Sequence, residues 1–348
     1  MLEMCVAIND GVPLLRVLLS LPLCVLAGCQ KLDEPSVTAA RPPLSTSSAP
    51  FPVEVTDFLG RRVRVPQRPQ RIVSLSPRNT ELLFAIAADE RVVGVTTYCN
   101  YPPQAAELAK VGGFSTSSLS VETIVSLEPD LIVAADDIQR PVIDDLERLG
   151  YPVLSLDAES LDALLEEIAI LGRVTECSAA AERLIRGMQD RVAHFERAVA
   201  QIPREDRVTV YFEIWDQPLT AAGPASFIGE VIQLAGGINL LDDPEARYVP
   251  IGHEFVLHGD PDFILIPDDS VSIDQVRGRL GWNRLQAVKN SRVQAVNSDL
   301  VSRCGPRLIQ ALEEMAAVLY PDRFGTTRFE TRSGNRGDKP SQGEVGAP

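Results

Sequence analysis

Two stretches, one in each half of the chain, decide the fold. Ser120–Ala134 reads SVETIVSLEPDLIVA, and Gly252–Ile266 reads GHEFVLHGDPDFILI. Each begins with a short helical pattern that has a glutamate, Glu122 or Glu254, in its first turn. Each then continues through Pro-Asp into a short apolar strand. This repeated order predicts a molecule built from two related halves.

The flanking sequence alternates between short apolar strands and helices in both halves. RIVSLS, DLIVA and PVLSLD are predicted strands of the first half, and RVTVYFEIW, DFILIP and RVQAVNS are those of the second. Helical patterns separate them, which is typical of βαβ units with a parallel sheet. Before the first unit, VEVTDFLGRRVRV predicts a β-hairpin around Leu59 and Gly60.

Between the halves the alternation gives way to two successive helices. The second, over residues 178–202, would be about 37 Å long at 1.5 Å per residue. We therefore predict an α/β protein whose two lobes, with central and mostly parallel sheets, are joined by one long inter-lobe helix. The predicted N-terminal lobe covers residues 51–158, the helical segment 159–203, and the C-terminal lobe 204–328.

The N-terminal region predicts export and lipid attachment. Residues 1–29 contain a short apolar run after an arginine, ending in Leu-Ala-Gly-Cys, which resembles the bacterial lipobox. Cys29 is the predicted lipidated residue, so we expect a membrane-anchored lipoprotein in the periplasm or at the cell surface. Residues 30–50 are rich in Pro, Ser and Thr and predict a flexible tether. Residues 329–348 predict a disordered tail.

The composition favours a binding protein over a catalyst. A formal net charge of −15 argues against nucleic acid as a partner, because phosphate binding needs clustered Lys and Arg. No phosphate loop and no nucleophile elbow is present, and we expect neither enzyme activity nor a resident cofactor. Cys99, Cys177 and Cys304 would remain in the mature chain without metal-ligand spacing, and at most one disulfide could form among them.

Several motifs together resemble one family, over residues 53–324. They are RIVSLSPRNTELLFAI, TTYCNYPPQA, the first stretch quoted above, FEIWDQPLTAAGPASFIGEVIQLAGGIN and VNSDLVSRCGPR. In this order they are similar to the periplasmic substrate-binding proteins of the iron-siderophore and cobalamin ABC importers. The resemblance implies two α/β lobes that move little about one long helix. It also implies capture of cobalamin, or of another large metal chelate, for delivery to a permease dimer.

The resemblance to cobalamin-binding members implies a set of ligand contacts. Aromatic faces would bury the flat ring of the ligand, and a polar pair at the cleft mouth would orient its side chains. The implied contacts are Tyr98, Phe114, Phe212, Trp215, Tyr248, Asp299 and Arg303. Several positions that carry Trp in the relatives carry other residues here, so a ferric siderophore or haem remains the alternative ligand.

The resemblance also gives the two repeated glutamates a role. In the family, one Glu on each lobe docks into Arg-containing pockets of the two permease subunits, which implies this role for Glu122 and Glu254. The simpler interpretation is favourable helix-start electrostatics. Two other classes stay open: an enzyme on this fold, which would need cysteine cluster ligands, and a zinc or manganese receptor, which would need several histidines and carboxylates converging on the cleft.

Overall fold

The computed structural model describes residues 51–325. The predicted signal segment, the predicted lipidation site Cys29, the predicted tether over residues 30–50 and the predicted tail over residues 329–348 lie outside these residues.

The strands form two main sheets and one hairpin. They are β1 Val53–Thr56, β2 Arg62–Val65, β3 Ile72–Ser74, β4 Val92–Val95, β5 Ala109–Lys110, β6 Leu131–Ala134, β7 Val153–Ser155, β8 Thr209–Asp216, β9 Leu219–Ala222, β10 Ile238–Asn239, β11 Tyr248–Pro250, β12 Phe263–Pro267 and β13 Val293–Val296.

The α-helices alternate with these strands within each lobe. They are α1 Pro77–Ala85, α2 Val121–Ser126, α3 Arg140–Arg148, α4 Leu161–Val174, α5 Ser178–Val199, α6 Phe227–Leu234, α7 His253–Gly259, α8 Ile273–Arg277, α9 Gln286–Lys289, α10 Ser298–Val301, α11 Leu308–Leu319 and α12 Pro321–Phe324.

The first sheet has the order β5-β4-β3-β6-β7, and all its pairs are parallel. The second has the order β11-β9-β8-β12-β13, with β10 also paired to β8. Its β10-β8, β8-β12 and β12-β13 pairs are parallel, whereas β9 is antiparallel to both β8 and β11. The predicted α/β class with two mostly parallel sheets is confirmed. The predicted hairpin is confirmed as the antiparallel pair β1-β2.

The side chains of the central strands alternate between two apolar layers. In β3, Ile72 packs into the largest core and Val73 into a core specific to the first lobe. In β8, Val210 belongs to the same largest core, while Tyr211 enters a core specific to the second lobe. A period of two with both faces buried is expected for central parallel strands. Both lobes therefore share one continuous core on one side of their sheets.

The long helix α5 contributes to that shared core. It has 22 residues, so it is about 33 Å long. Its buried side chains recur every three or four residues along one face: Ala181, Ile185, Met188, Val192, Phe195 and Val199. It contacts α1 of the first lobe and α6 and α11 of the second. The predicted inter-lobe helix is thus present, and it ends three residues earlier than the pattern indicated.

The repeated Pro-Asp pair has the same structural task in both lobes. The Asp130 carboxylate accepts from the backbone N–H of Arg71 at 2.8 Å, while the Asp130 N–H donates to the Arg71 carbonyl at 2.9 Å. Asp262 exchanges the same two bonds with Thr209, at 2.8 and 2.9 Å. Each aspartate thereby fixes the start of β6 or β12 beside the start of the neighbouring strand.

Within residues 51–325, no helix combines the length and the apolar character that crossing a bilayer requires.

Candidate functional site

The parallel strands bring the loops that carry most of the candidate site residues to one edge of each sheet. Tyr98 follows β4, Phe114 follows β5, and Asp157 follows β7, so all three lie beyond the carboxyl ends of parallel strands. In the second lobe, Trp215 lies near the carboxyl end of β8, and Asp299 follows β13. Ligand sites of open α/β sheets form at this edge.

Direct hydrogen bonds join these two edges across the lobes. Asn100 of the first lobe donates to Asp299 Oδ2 of the second at 3.1 Å. Arg303 Nη1 donates back to Asn100 Oδ1 at 2.9 Å, and its Nη2 donates to Asp299 Oδ1 at 2.7 Å. The predicted polar pair Asp299 and Arg303 is therefore brought together at the boundary between the lobes.

Glu81 of helix α1 is the central acceptor of this boundary. Its carboxylate is 1% exposed and accepts from Arg303 Nη1 at 2.8 Å. It also accepts from Arg307 through Nε at 2.8 Å and Nη2 at 2.7 Å. The Arg307 guanidinium lies 4.1 Å from the ring centre of Tyr101, within cation–π range. One buried acid of the first lobe thus binds two arginines of the second.

A second buried link involves Arg78 on the same helix. Its guanidinium donates to the backbone carbonyl of Cys304 in the second lobe and forms an ion pair with Glu167 of helix α4. Glu167 also accepts from the backbone N–H of Asp157 at 2.8 Å. Helix α4 and the loop after β7 are therefore tied to the same boundary.

A third link lies beside an open surface depression of about 300 Å³. Arg247, just before β11, pairs with Glu159, just before α4. Both side chains line the depression together with Phe58, Ser160, Ala163 and Ala225. The depression therefore receives residues from the hairpin, from helix α4 and from the second lobe.

Three of the predicted aromatic contacts are open to solvent. Tyr98 is 56% exposed, Trp215 is 54% exposed and Tyr248 is 44% exposed. The ring of Tyr98 lies beside Gly113, because a Cβ added there would be 3.6 Å from Tyr98 Cε2. Phe114, the next residue, is half-buried, and Gln139 Nε2 donates to its carbonyl at 2.9 Å.

The position of Tyr248 is also evident in its electrostatics. Burial of its hydroxyl raises the pKa of Tyr248 to about 12; Arg247 opposes this shift, while Cys304, Glu159 and Asp157 add to it. Glu159 and Asp157 follow the last strand of the first sheet. Although the ring is partly open to solvent, its hydroxyl therefore lies close enough to Glu159 and Asp157 for their charges to influence its pKa.

The loop after β7 holds a carboxyl with a raised pKa. Burial raises the pKa of Asp157 to about 6; Arg78 opposes the shift, and Asp136, Glu167 and Glu159 add to it. Burial likewise raises the pKa of the nearby Cys304 thiol to about 12, so the thiol is protonated at neutral pH. Cys99, Cys177 and Cys304 are all free thiols.

The structure corrects one predicted contact and restricts another. Phe212 was expected to line the cleft, but it is 1% exposed and packs in the shared core. The reason is that β8 is a central strand whose faces are both covered. Arg303 was expected to be available to a ligand, yet its side chain is 12% exposed and already binds three protein partners.

The two repeated glutamates occupy matching positions on short helices. Glu122 is the second residue of α2 and Glu254 the second residue of α7, and both are exposed. Each helix leads into a strand that pairs with the first strand, in chain order, of its sheet: β6 with β3 and β12 with β8. Helices that precede parallel strands start at the carboxyl edge of the sheet, so both glutamates lie on the cleft side of their lobes.

Sequence reasoning missed most residues of this boundary. Glu81 and Tyr101 lie within motifs quoted for the resemblance but received no role, and Glu159 and Arg247 were not considered. A signal existed for Glu81, because an acid on the apolar face of a helix requires a buried partner. The partners Arg303 and Arg307 are more than 200 residues away in sequence, so spacing alone could not identify them.

Among residues 51–325, no group of three or more His, Cys, Asp or Glu side chains is arranged to hold a metal ion.

A fold with two α/β lobes, a long connecting helix and a polar, aromatic inter-lobe boundary defines a two-lobed solute-binding protein. The family model described as "Periplasmic binding protein" matches residues 72–300, and the chain belongs to that family. It is a substrate-binding protein of the ABC importer type.

Similar proteins agree on the class and differ in their ligands. An ABC transporter substrate-binding lipoprotein of Bacillus subtilis, YvrC, described as uncharacterized, is 31% identical over 86% of this chain and 94% of its own. A cobalamin-binding protein of Halobacterium salinarum is 29% identical over 81% of this chain and 79% of its own. The apo structure of the periplasmic heme-binding protein RhuT from Roseiflexus is 27% identical, with a TM-score of 0.65, over 72% of this chain and 98% of its own.

Proposed function

We propose that the protein is an extracytoplasmic lipoprotein that captures cobalamin, or a related corrinoid, between its lobes and delivers it to an ABC importer permease. The observation that carries this proposal is the set of exposed aromatic side chains beside the inter-lobe boundary. Tyr98 belongs to the first lobe, and Trp215 and Tyr248 belong to the second. Aromatic faces on both lobes suit a broad, flat, largely apolar ring.

The polar residues of the boundary would orient such a ligand. Asp299 and Asn100 are partly open to solvent and hydrogen-bonded to each other across the lobes. Amide side chains of a corrinoid could share these donors and acceptors. Phe114, beside Tyr98, would complete the aromatic wall of the first lobe. Phe212 is not part of the proposed contact set, because it is buried in the shared core.

Ligand binding is tested by titrating the purified protein with cyanocobalamin and recording heat and visible absorbance. We expect tight binding with an absorbance shift. Tyr98→Ala, Trp215→Ala and Tyr248→Ala should each weaken binding by about tenfold, as expected for a lost aromatic face worth about 1–1.5 kcal/mol. Phe255→Ala removes an exposed aromatic of helix α7 that is not in the proposed contact set, and it should leave the affinity unchanged. No binding at micromolar cyanocobalamin would refute the ligand assignment.

A ferric siderophore or haem is the second candidate ligand. The structural similarity to a heme-binding protein supports this alternative. Titration with haemin distinguishes the two, because coordination of the iron by a protein side chain shifts the Soret band. A Soret shift together with no corrinoid binding would replace the first proposal by this one.

We further propose that Cys29 carries a lipid that holds the protein at the membrane. The Leu-Ala-Gly-Cys sequence at residues 26–29 supports this. The Cys29→Ser variant, expressed from the full-length gene, should move from the membrane fraction to the soluble fraction and lose incorporation of labelled palmitate. Retention of both the label and the membrane location would exclude Cys29 as the anchor.

A further inference from the structure

The arginines at the boundary between the lobes are already neutralised by carboxylates of the protein itself. Arg303 and Arg307 share Glu81, and Arg303 also binds Asp299. The contacts of Glu81 with Arg303 and Arg307 join residues of opposite lobes, so these charges lie at the boundary between the lobes.

Arg78 and Arg247, the arginines of the two other links, are also each paired with a carboxylate of the protein. Arg78 pairs with Glu167, and Arg247 pairs with Glu159. Asp157 lies close enough to Arg78 and Glu159 for their charges to influence its pKa. With Asp157 included, the three links place five carboxyl groups beside four guanidinium groups. The cationic side chains of the boundary are thus matched or exceeded by acids.

From this pairing we infer that the cleft selects a chelate with neutral or cationic periphery and discriminates against one that presents carboxylates. This inference rests on the proposed function and names the chemical class of its ligand. An anionic group that entered the cleft would have to displace Glu159, Asp299 or Glu81 from its arginine. It would otherwise leave a carboxylate beside another carboxylate, a like-charge contact that is unfavourable.

The degree of burial distinguishes the Glu81 link from the Arg247–Glu159 link. Glu81 is buried against two arginines, so its displacement would leave Arg303 and Arg307 without their shared anion in a buried setting. The Arg247–Glu159 pair is largely exposed and lines the open depression. Arg247 is therefore the arginine that one substitution can free for an anionic ligand while the fold is retained.

The test compares two corrinoids that share one ring. Cyanocobalamin carries amide side chains, and its monocarboxylic derivatives carry one carboxylate in place of an amide. We expect the wild-type protein to bind cyanocobalamin at least about fivefold more tightly, with a ratio that falls as salt is raised, because the penalty is electrostatic. In Glu159→Gln, which frees Arg247, the ratio of the two affinities should shift toward the carboxylate by at least about fivefold.

Glu147→Gln is the matched control. Glu147 lies at the end of helix α3, which leads into the start of β7 at the opposite edge of the sheet. The substitution removes a carboxylate from Arg61 and changes the net charge of the protein equally. We expect the affinity ratio of this variant to equal that of the wild type. Thermal unfolding of both variants verifies that each is folded.

Each outcome decides between the two claims. Equal binding of both corrinoids by the wild type would overturn the charge inference and leave the proposed function intact, as would an unchanged ratio in Glu159→Gln. If neither corrinoid binds, the corrinoid proposal fails, and the charge inference is then decided by ferrioxamine B, which is cationic, against haemin, which carries two carboxylates. Preferential binding of haemin, or binding of none of these chelates, would overturn the inference.

Discussion

The two lobes share a framework but differ in the residues that this framework presents at the cleft. Helix α1 begins after the capping serine Ser76 and helix α6 after Ser226, and each serine accepts from the backbone N–H three residues later. Counted from these caps, Glu81 of α1 corresponds to Val231 of α6. Both are buried. One lobe therefore carries a charge where the other carries a methyl-bearing side chain.

The same contrast occurs at the last strands of the two sheets. Val153 pairs with Ile132 in the first sheet, and Val293 pairs with Ile264, the repeat counterpart of Ile132, in the second. Asp157 lies four residues after Val153 and is therefore the counterpart of Asn297, four residues after Val293. The first lobe again has the charged residue. The apolar layers and the Pro-Asp bonds are conserved between the lobes, whereas the acids at the boundary are not. A repeated framework sets where residues lie, and the differences between its copies create the inter-lobe contacts.

The largest expected effect follows from removing the charge that is unique to helix α1. Glu81→Gln leaves Arg303 and Arg307 without their shared anion in a buried setting. Removing one partner of a buried ion pair costs about 3–5 kcal/mol. We expect the urea unfolding free energy to fall by that amount.

Asp299→Asn serves as the control for Glu81→Gln, because it removes a more exposed partner of the same Arg303. Its cost should be below about 1 kcal/mol. Similar losses for the two variants would show that Glu81 is not the centre of the boundary.

The second effect tests what the two lobes have in common. Glu122→Arg together with Glu254→Arg places like charges against the permease pockets that we propose they enter, and such contacts cost several kcal/mol. Transport by reconstituted importer should fall by about 100-fold or more, while ligand binding by the isolated protein stays within about threefold.

The double charge reversal has a natural control. Glu90 and Glu205 are exposed glutamates, one per lobe, that lie just before β4 and β8, at the opposite edge of each sheet. Reversal of this pair changes the net charge equally and should leave transport near wild-type levels. If ligand binding were lost with Glu122 and Glu254, these residues would belong to the cleft or to the fold.

A third effect measures how equivalent the repeated aspartates are. Asp130 accepts from two backbone N–H groups, those of Gln70 and Arg71, whereas Asp262 accepts from Thr209. A hydrogen bond to a charged group contributes about 1.5–3 kcal/mol, and the low end of this range applies here because both carboxylates are only partly buried. Asp130→Ala should therefore lower the unfolding free energy by about 2–3 kcal/mol and Asp262→Ala by about 1–2 kcal/mol. The reverse order would contradict the hydrogen-bond account.

The framework could be predicted from the sequence because it depends on local patterns. The period-two apolar strands, the capped helices and the long amphipathic run over α5 each occupy contiguous residues, and the repeat of Glu122 in Glu254 is visible in the letters alone. The contacts at the cleft depend on pairs such as Glu81 with Arg307, which only the assembled fold brings together. Phe212 shows the same limit, since an aromatic in a motif resembles a ligand contact until both faces of its strand are seen to be covered.

The smallest expected effect concerns Asp157, and Asp157→Asn gives the first lobe the residue that the second has at Asn297. The folded-state pKa of Asp157 is raised from 3.8 to about 6, mainly by burial. The folded protein therefore favours the protonated acid, so the unfolding free energy of the wild type falls as pH rises from about 4 to about 6.

The amide variant Asp157→Asn lacks this titration. It should match the wild type near pH 4 and exceed its unfolding free energy by about 1–2 kcal/mol at pH 7, a value reduced from the full linkage of about 3 kcal/mol because the carboxyl is partly solvated. Urea unfolding at both pH values measures the difference. An equal gain at pH 4 and pH 7 would mean that the amide acts through new hydrogen bonds, as Asn297 does when it accepts from the Asp299 N–H at 2.9 Å, and not through the lost charge.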